Sequence, residues 1–404
     1  MSEYINEISL VNRDSKGKLR VAIISYKWDD IQSGFVIHRT TGTYKGKLTD
    51  QPEIIIQKGK AGRSVTQQCE LEFNSHVKKY CDKGYKKLDY SIDSYLEEEL
   101  NSIVGEYQTR GEGIIKPMLA KQADKVSRKT FDKDYLASRK VNGVRCLIYY
   151  KDGDIKTASR GATDYDLAIF HIISHPTLKK FFNNHPEVIL DGEIYKAGWT
   201  LNKISGICRT QSTINDGKDL QFYWYDIVEL DKPFTERLQL MQEYSEELNL
   251  SEFNPYKEFS LEELSIQFLP HVEISGYDNM VKLHDEYVAD GWEGLVIRLA
   301  SSVYKPGSRG NDWIKIKQYT DAEYPIVGIS EGLRPEDLCF ILETPSGQRF
   351  NCKPMGDRAQ KDWYRKNINS LLGKMLTIKY FEMSGVEGSE VPQQPVGICV
   401  RDYE

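Results

Sequence analysis

No stretch of this 404-residue sequence approaches the roughly 18 consecutive apolar residues that a membrane-crossing helix needs, so none is expected. The opening residues Met1, Ser2, Glu3 and Tyr4 lack the basic and apolar regions of a secretion signal. These two absences lead to the expectation of a soluble, intracellular protein with no membrane partner. Cysteine is sparse and scattered. The seven residues Cys69, Cys81, Cys146, Cys208, Cys339, Cys352 and Cys399 include no C-x-x-C pair, which argues against a zinc site or a disulfide framework. The seven histidines form no H-E-x-x-H, so metal-hydrolase chemistry has little support. Internal repeats and low-complexity tracts are missing as well.

The length exceeds one ordinary domain, so two or three compact units are expected, and an apolar fraction of 40% is enough to pack them. Net charge is −6, which does not by itself suggest a polyanion partner. Its distribution is uneven. Between Lys45 and Lys87 ten basic residues face five acidic ones, which leaves a local +5 on a chain that is −11 elsewhere. A basic module on an acidic chain points to polyanion binding.

The stretch around which the rest is organised is Lys140-x-x-Gly143-x-Arg145, followed at once by the apolar run Leu147 to Tyr150. A lysine on a Gly-containing turn ahead of a β-rich segment can act as a nucleophile if neighbouring positive charge or burial keeps its amine unprotonated. The alternative is a solvated surface lysine. Four further β-type segments follow: Asp191-Gly192-Glu193, Tyr223-x-Tyr225-Asp226, Glu293-Gly294-x-x-x-Arg298 and Lys315-x-Lys317. Lys315 and Lys317 share one strand face, about 6.6 Å apart along the chain, and could embrace a phosphate or depress the pKa of Lys140. A lysine-flanked edge strand is the other reading. Lys151 to Asp154 signals a hairpin that returns Arg160 toward Lys140.

Five such motifs in this order resemble the covalent nucleotidyltransferases, specifically the ATP-dependent DNA ligases, over residues 113–404. The resemblance implies an α+β fold. Residues 113–321 would form an ATP-grasp-like adenylation domain with antiparallel-rich sheets, and 322–404 an OB-fold barrel, in keeping with five short strands and one helix after Tyr324. Residues 1–90 would form a small α+β module that resembles a WGR nucleic-acid-binding domain, although Gln57 or Lys58 stands where that domain has its Trp. Within it a helix is expected over Leu71 to Tyr85. Residues 91–112 are expected as a linker that begins with a short acidic helix over Asp93 to Leu100.

The resemblance also implies a reaction. Lys140 would attack ATP and become lysyl–AMP, the AMP would pass to the 5′-phosphate of nicked duplex DNA, and the 3′-hydroxyl would displace it, as DNA repair, replication or recombination requires. Arg145, Glu193, Tyr225, Lys315, Lys317 and Arg401 would bind the nucleotide, with Tyr225 stacking on adenine. Glu193 and Glu293 would hold Mg²⁺ or Mn²⁺. Arg145, Arg160 and Arg309 would grip nick phosphates, and Lys58, Lys60 and Arg63 would contact DNA from the N-terminal module. A monomer is expected, acting in the cytoplasm or nucleoid, or in the host cell of a virus.

Two positions depart from the family. Asn142 stands for an Asp whose family role lies in the sealing step, and Ser138 stands for an adenine-contacting Glu or Gln. An RNA ligase, a capping guanylyltransferase and a DNA-end binding protein with an inactive transferase domain remain the alternatives.

Overall fold

The computed structural model describes residues 6–401 apart from 15–16, 106–108, 111–112, 211–213, 261, 318, 332–336, 382 and 386–387. The N-terminal unit is an antiparallel sheet in which Leu48–Asp50, Gly34–Thr43, Leu19–Asp29, Asn6–Arg13 and Lys86–Lys87 lie side by side. Side chains alternate across such a sheet, so its apolar residues fall into two sets. Leu10, Ala22, Ile24 and Ile37 meet Cys69, Phe73 and Val77 of the helix Val65–Asp82. Val11, Leu19 and Val21 are covered by Ile92, Leu100 and Val104.

That second contact corrects the boundary at residue 90 and the linker expected over 91–112. The helix Glu97–Val104 presents Leu100 and Val104, one turn apart, to the sheet's other face, and so belongs to the module. The first helix also begins earlier than Leu71, because Ser64 and Gln67 form a capping box: the Gln67 amide donates to Ser64 Oγ (3.1 Å) and the Ser64 amide to Gln67 Oε1 (2.9 Å).

The central unit is built on two five-stranded sheets. One runs Val272–Ile274, Tyr135–Arg139, Gly294–Leu299, Trp313–Lys317, Lys121–Gln122. The other runs Asp154–Ser159, Val144–Lys151, Ile189–Tyr195, Gln221–Ile227, Ile266–Phe268. Strand pairing is antiparallel throughout except for the contacts of Ile266–Phe268 and Lys121–Gln122. The first sheet carries the helix Tyr277–Ala289 on its outer side, through Met280 and Tyr287. The second carries the helices Pro176–Asn184, Leu201–Arg209 and Phe234–Glu247. Between the sheets lies a third apolar layer of Met118, Val141, Tyr223, Tyr225, Leu269, Tyr304 and Trp313. The hairpin at Lys151–Asp154 forms as expected. Asp152 and Gly153 both have positive φ (53° and 88°), the twist that suits a two-residue turn between right-handed strands.

Beyond the lysine strand, Thr320–Ser330, Cys339–Glu343, Arg349–Pro354, Val396–Val400 and Met375–Tyr380 close into a barrel around Ile326, Phe340, Leu342, Leu376 and Ile378. The helix Arg358–Lys366 bridges its third and fourth strands in sequence. The barrel's first strand starts at Thr320, two residues before the expected boundary. A short ribbon, Met383–Ser384 paired with Val391–Pro392, reaches from the barrel toward the central unit.

Candidate functional site

Lys140 occupies the crossing between the two sheets. Tyr135–Arg139 before it belongs to one sheet and Val144–Lys151 after it to the other. Its backbone stays in register with the first sheet, since its amide donates to the Gly294 carbonyl (2.9 Å) and its carbonyl accepts from the Glu293 amide (3.2 Å). The chain must then turn against the second sheet. A Cβ on Gly143 would lie 2.3 Å from the Ile194 carbonyl oxygen, so only glycine passes there.

The Lys140 side chain is 17% exposed and its Nζ is ion-paired with Glu293 Oε2 while also donating to the Val141 carbonyl (3.3 Å). Lys317 Nζ meets the other oxygen of the same carboxylate, Glu293 Oε1, and lies 4.3 Å from the centre of the Phe381 ring, which belongs to the barrel unit. Lys315 lines the same cleft as Lys140. Burial, then the ammonium groups of Lys317 and Lys140, push the Lys315 amine down to about 8. The strand that carries this pair is not an edge, because Lys121–Gln122 pairs along its outer side.

The cleft walls are made of arginine and aromatic rings. Arg145 Nε donates to Asp191 Oδ1 (2.6 Å), and its guanidinium lies 4.7 Å from the Trp313 ring centre and 5.3 Å from that of Tyr225. Asp191 also accepts from Tyr304 Oη (2.7 Å). Arg298 also approaches Trp313 and Tyr225, at 4.2 and 5.0 Å from their ring centres. Behind it lies Asp226, fully buried between Arg298 and Arg237. Burial drives the Asp226 carboxyl up, but the two guanidinium groups outweigh it and hold it below its ordinary value. Glu193 accepts from Tyr225 Oη (3.2 Å). Burial raises the Glu193 carboxyl against the pull of Lys140 and Arg145.

Lys140, Arg145, Arg160, Glu193, Tyr225, Arg309 and Lys315 therefore line one cleft, and Glu293 and Lys317 join Lys140 in the groove that continues it. Asn142 lines the groove, and Ser138 lines the cleft. Other expected residues lie elsewhere. Lys58, Lys60 and Arg63 sit on the loop before the first helix, where Lys60 pairs with Glu72 at 3.8 Å and Arg63 donates to Gln68 Oε1 at 3.3 Å. Arg401 leaves the last barrel strand, where its Nε donates to Glu323 Oε1 (2.9 Å) and Thr377 Oγ1 (2.7 Å), and it is not among the residues lining the cleft. Asp402, which follows it and with it resembles the family's last motif, lies outside the described residues.

Two expectations are corrected. A bidentate grip of Arg145 on nick phosphates is contradicted, because the fork of its guanidinium is already taken up by Asp191. The strand Gln221–Ile227 offers no open face, since all seven of its residues are buried. Tyr225 reaches the cleft only as part of its wall. Sequence reasoning missed Asp191 and Tyr304 as the anchors of Arg145, and it missed Trp313 and Arg298 as walls. The one signal for Arg298 was its place at the end of Glu293-Gly294-x-x-x-Arg298.

The cleft and the groove that continues it hold one nucleophile-type amine, two further lysines, two carboxylates and the Tyr225 and Trp313 rings, set edge to face. That set suits transfer of a group that is anionic at one end and flat at the other. Comparison with known proteins agrees. Residues 117–317 match the family described as ATP dependent DNA ligase domain. The DNA ligase of African swine fever virus (isolate Warthog/Namibia/Wart80/1980) is 27% identical over 301 residues, spanning 70% of this chain and 68% of that one. The DNA ligase of Methanothrix thermoacetophila is 24% identical over 319 residues, 72% of this chain and 51% of that one. Among solved structures, Pmar-Lig_Pre superimposes with a TM-score of 0.61 at 20% identity, covering 77% of this chain and 73% of that one. A structure from a study of how Lig E DNA ligases bind DNA with a minimal scaffold gives 0.52 at 19%, covering 71% and 100%. With the motif order, the two-sheet cleft around Lys140 and these likenesses in agreement, residues 117–317 form a domain of the ATP-dependent DNA ligase family.

Proposed function

We propose that the protein seals nicks in duplex DNA that carry a 3′-hydroxyl and a 5′-phosphate, through a lysyl–AMP on Lys140 and then a 5′-adenylated strand. The observation that carries this reading is the placement of Lys140 Nζ at Glu293, in a groove shared with Lys317 and beside Lys315. The Lys140 nitrogen forms a P–N bond to the α-phosphorus of ATP as the bond to pyrophosphate breaks, and Glu293 already faces the proton that must leave. Lys315 and Lys317 supply positive field to the non-bridging oxygens. The base lies along the cleft wall to which Tyr225 and Trp313 contribute. The AMP then passes to the 5′-phosphate beside Arg160 and Arg309, and attack by the 3′-hydroxyl releases it. Arg401 serves the pyrophosphate from the barrel.

Among the described residues no group of three or more His, Cys, Asp or Glu side chains could hold a metal ion alone. Glu193 and Glu293, two carboxylates lining one groove, fit a Mg²⁺ or Mn²⁺ that takes its remaining oxygens from phosphate and water. Such an ion would supply neutralisation of the phosphate charge. The five-stranded barrel with its helix between the third and fourth strands supports an OB-fold reading. The exposed basic loop Lys58, Lys60 and Arg63 supports DNA contact by the WGR-like module.

The test is incubation with labelled ATP and Mg²⁺, with GTP in parallel, followed by nicked duplexes with DNA or RNA on either side. An acid-labile protein–AMP adduct that disappears in Lys140→Ala, together with sealing of the DNA nick, is the expected result. An adduct that survives the substitution overturns the reading.

A further inference from the structure

The hairpin of Thr109–Arg110 and Ile114–Ile115 joins the N-terminal unit to the central one and is fastened on both sides. On one side Gly84, at φ +92°, comes so close that a Cβ there would lie 1.8 Å from the Thr109 carbonyl oxygen. On the other, Ile115 is buried against Leu147 and Ala158, two residues before Arg160 at the rim of the Lys140 cleft. Arg110 is thus held beside Arg160. Its Nε is buried without a hydrogen-bond partner, and neither arginine has a carboxylate partner among the described residues.

A buried donor left unfilled costs free energy, and so does the approach of two like charges. Burial and Arg160 accordingly hold Arg110 below its ordinary value, and burial and Arg110 do the same to Lys116. An oxyanion entering between them would relieve both costs. Arg160 belongs to the Lys140 cleft and also to the broader groove that runs on past Gly161, Ser205 and Arg209. That position suits a strand that passes the reaction centre better than it suits a mononucleotide held within the cleft.

We propose that Arg110, Lys116 and Arg160 form a phosphate-binding site for the backbone of the nucleic-acid strand beside the reaction centre, with Arg110 supplied by the inter-unit hairpin. This rests on the ligase reading, and it makes the hairpin a DNA contact that also ties the N-terminal unit to the nick.

The experiment measures binding of the full chain to a nicked duplex ending in a 3′-dideoxynucleotide, across a series of salt concentrations, alongside lysyl–AMP formation from ATP without DNA. Arg110→Gln is expected to weaken nick binding about tenfold, as loss of one charge-assisted contact does. The slope of log affinity against log salt should flatten by about 0.9, one phosphate's worth of counterions. Adduct formation should keep its rate, and Arg110→Lys should retain the slope. Unchanged affinity and slope overturn the proposal. Slower adduct formation with unchanged DNA binding also overturns it, by assigning the site to the ATP triphosphate. Lys116→Gln provides the second variant if Arg110→Gln does not fold. Failure of the ligase reading itself shows separately, as a wild-type protein that forms no adduct.

Discussion

The carboxylate of Glu293 is shared by Lys140 and Lys317, one ammonium group on each oxygen, on a side chain only 2% exposed. In a cleft where cations outnumber anions, this carboxylate points the Lys140 amine and keeps Lys317 from repelling it.

Glu293→Gln should therefore slow lysyl–AMP formation by about 10²-fold or more, the scale on which loss of a preorganised polar group acts. Transfer of label at saturating ATP measures it. A rate within threefold of wild type would remove Glu293 from the chemistry.

The Lys315 amine gives a pH dependence with opposite signs for folding and for binding. Its folded value of about 8 lies below the ordinary 10.5, so between those values the unfolded chain binds a proton that the folded chain has released. Stability without ATP should thus gain from rising pH across that window relative to Lys315→Met, whose curve lacks this contribution. Nucleotide phosphate favours the ammonium form, so ATP affinity should fall above about pH 8 and binding should take up a proton there. Calorimetry at pH 8.5 in buffers of different ionisation enthalpy reads the proton directly. Equal heats in all buffers would contradict the assignment.

Gly143→Ala should disable the site without touching a polar group. The added methyl meets the Ile194 carbonyl at 2.3 Å, a separation that forces the crossing strand away from the second sheet. A destabilisation of about 1–3 kcal/mol is expected, as for other overpacking changes. Adduct formation should fall further than that loss of folded protein explains. Thermal melts and label transfer on the same sample separate the two.

Asp226→Asn should be among the most damaging single changes in the chain. It removes the counter-charge of two buried guanidinium groups, which costs about 3–5 kcal/mol. Because the folded carboxyl titrates below its unfolded value, the stabilisation is present above the unfolded value of 3.8 and is lost as pH falls through the folded one. Chemical denaturation of both proteins at pH 7 and pH 3 should show the gap between them narrowing in acid.

The motif residues were legible because each is set by its own short strand. Alternation alone puts Lys315 on the opposite face from Ile314 and Ile316, and the Asp152-Gly153 turn returns Arg160 to the Lys140 end. What stayed hidden depends on pairings far apart in sequence. Tyr304 bonds Asp191 across 113 positions, which no local pattern encodes. Gly143 looked like a turn glycine, yet it is required by the approach of a strand some fifty residues away. The start of the first helix was readable from Ser64 and Gln67 and was overlooked because apolar spacing begins later. The boundary at residue 90 misled because an acidic stretch looks like a solvated tether, whereas Leu100 and Val104 within it close the second face of a sheet.

Because the residues before Lys140 are laid down in one sheet and those after it in the other, neither half alone can assemble the attacking group with its counter-ion. A partly folded chain has no productive place for ATP, so nucleotide binds only the finished structure and draws the folding equilibrium toward it. Added nucleotide should therefore raise the melting temperature in proportion to the logarithm of its concentration, which turns the catalytic crossing into a reporter of complete assembly.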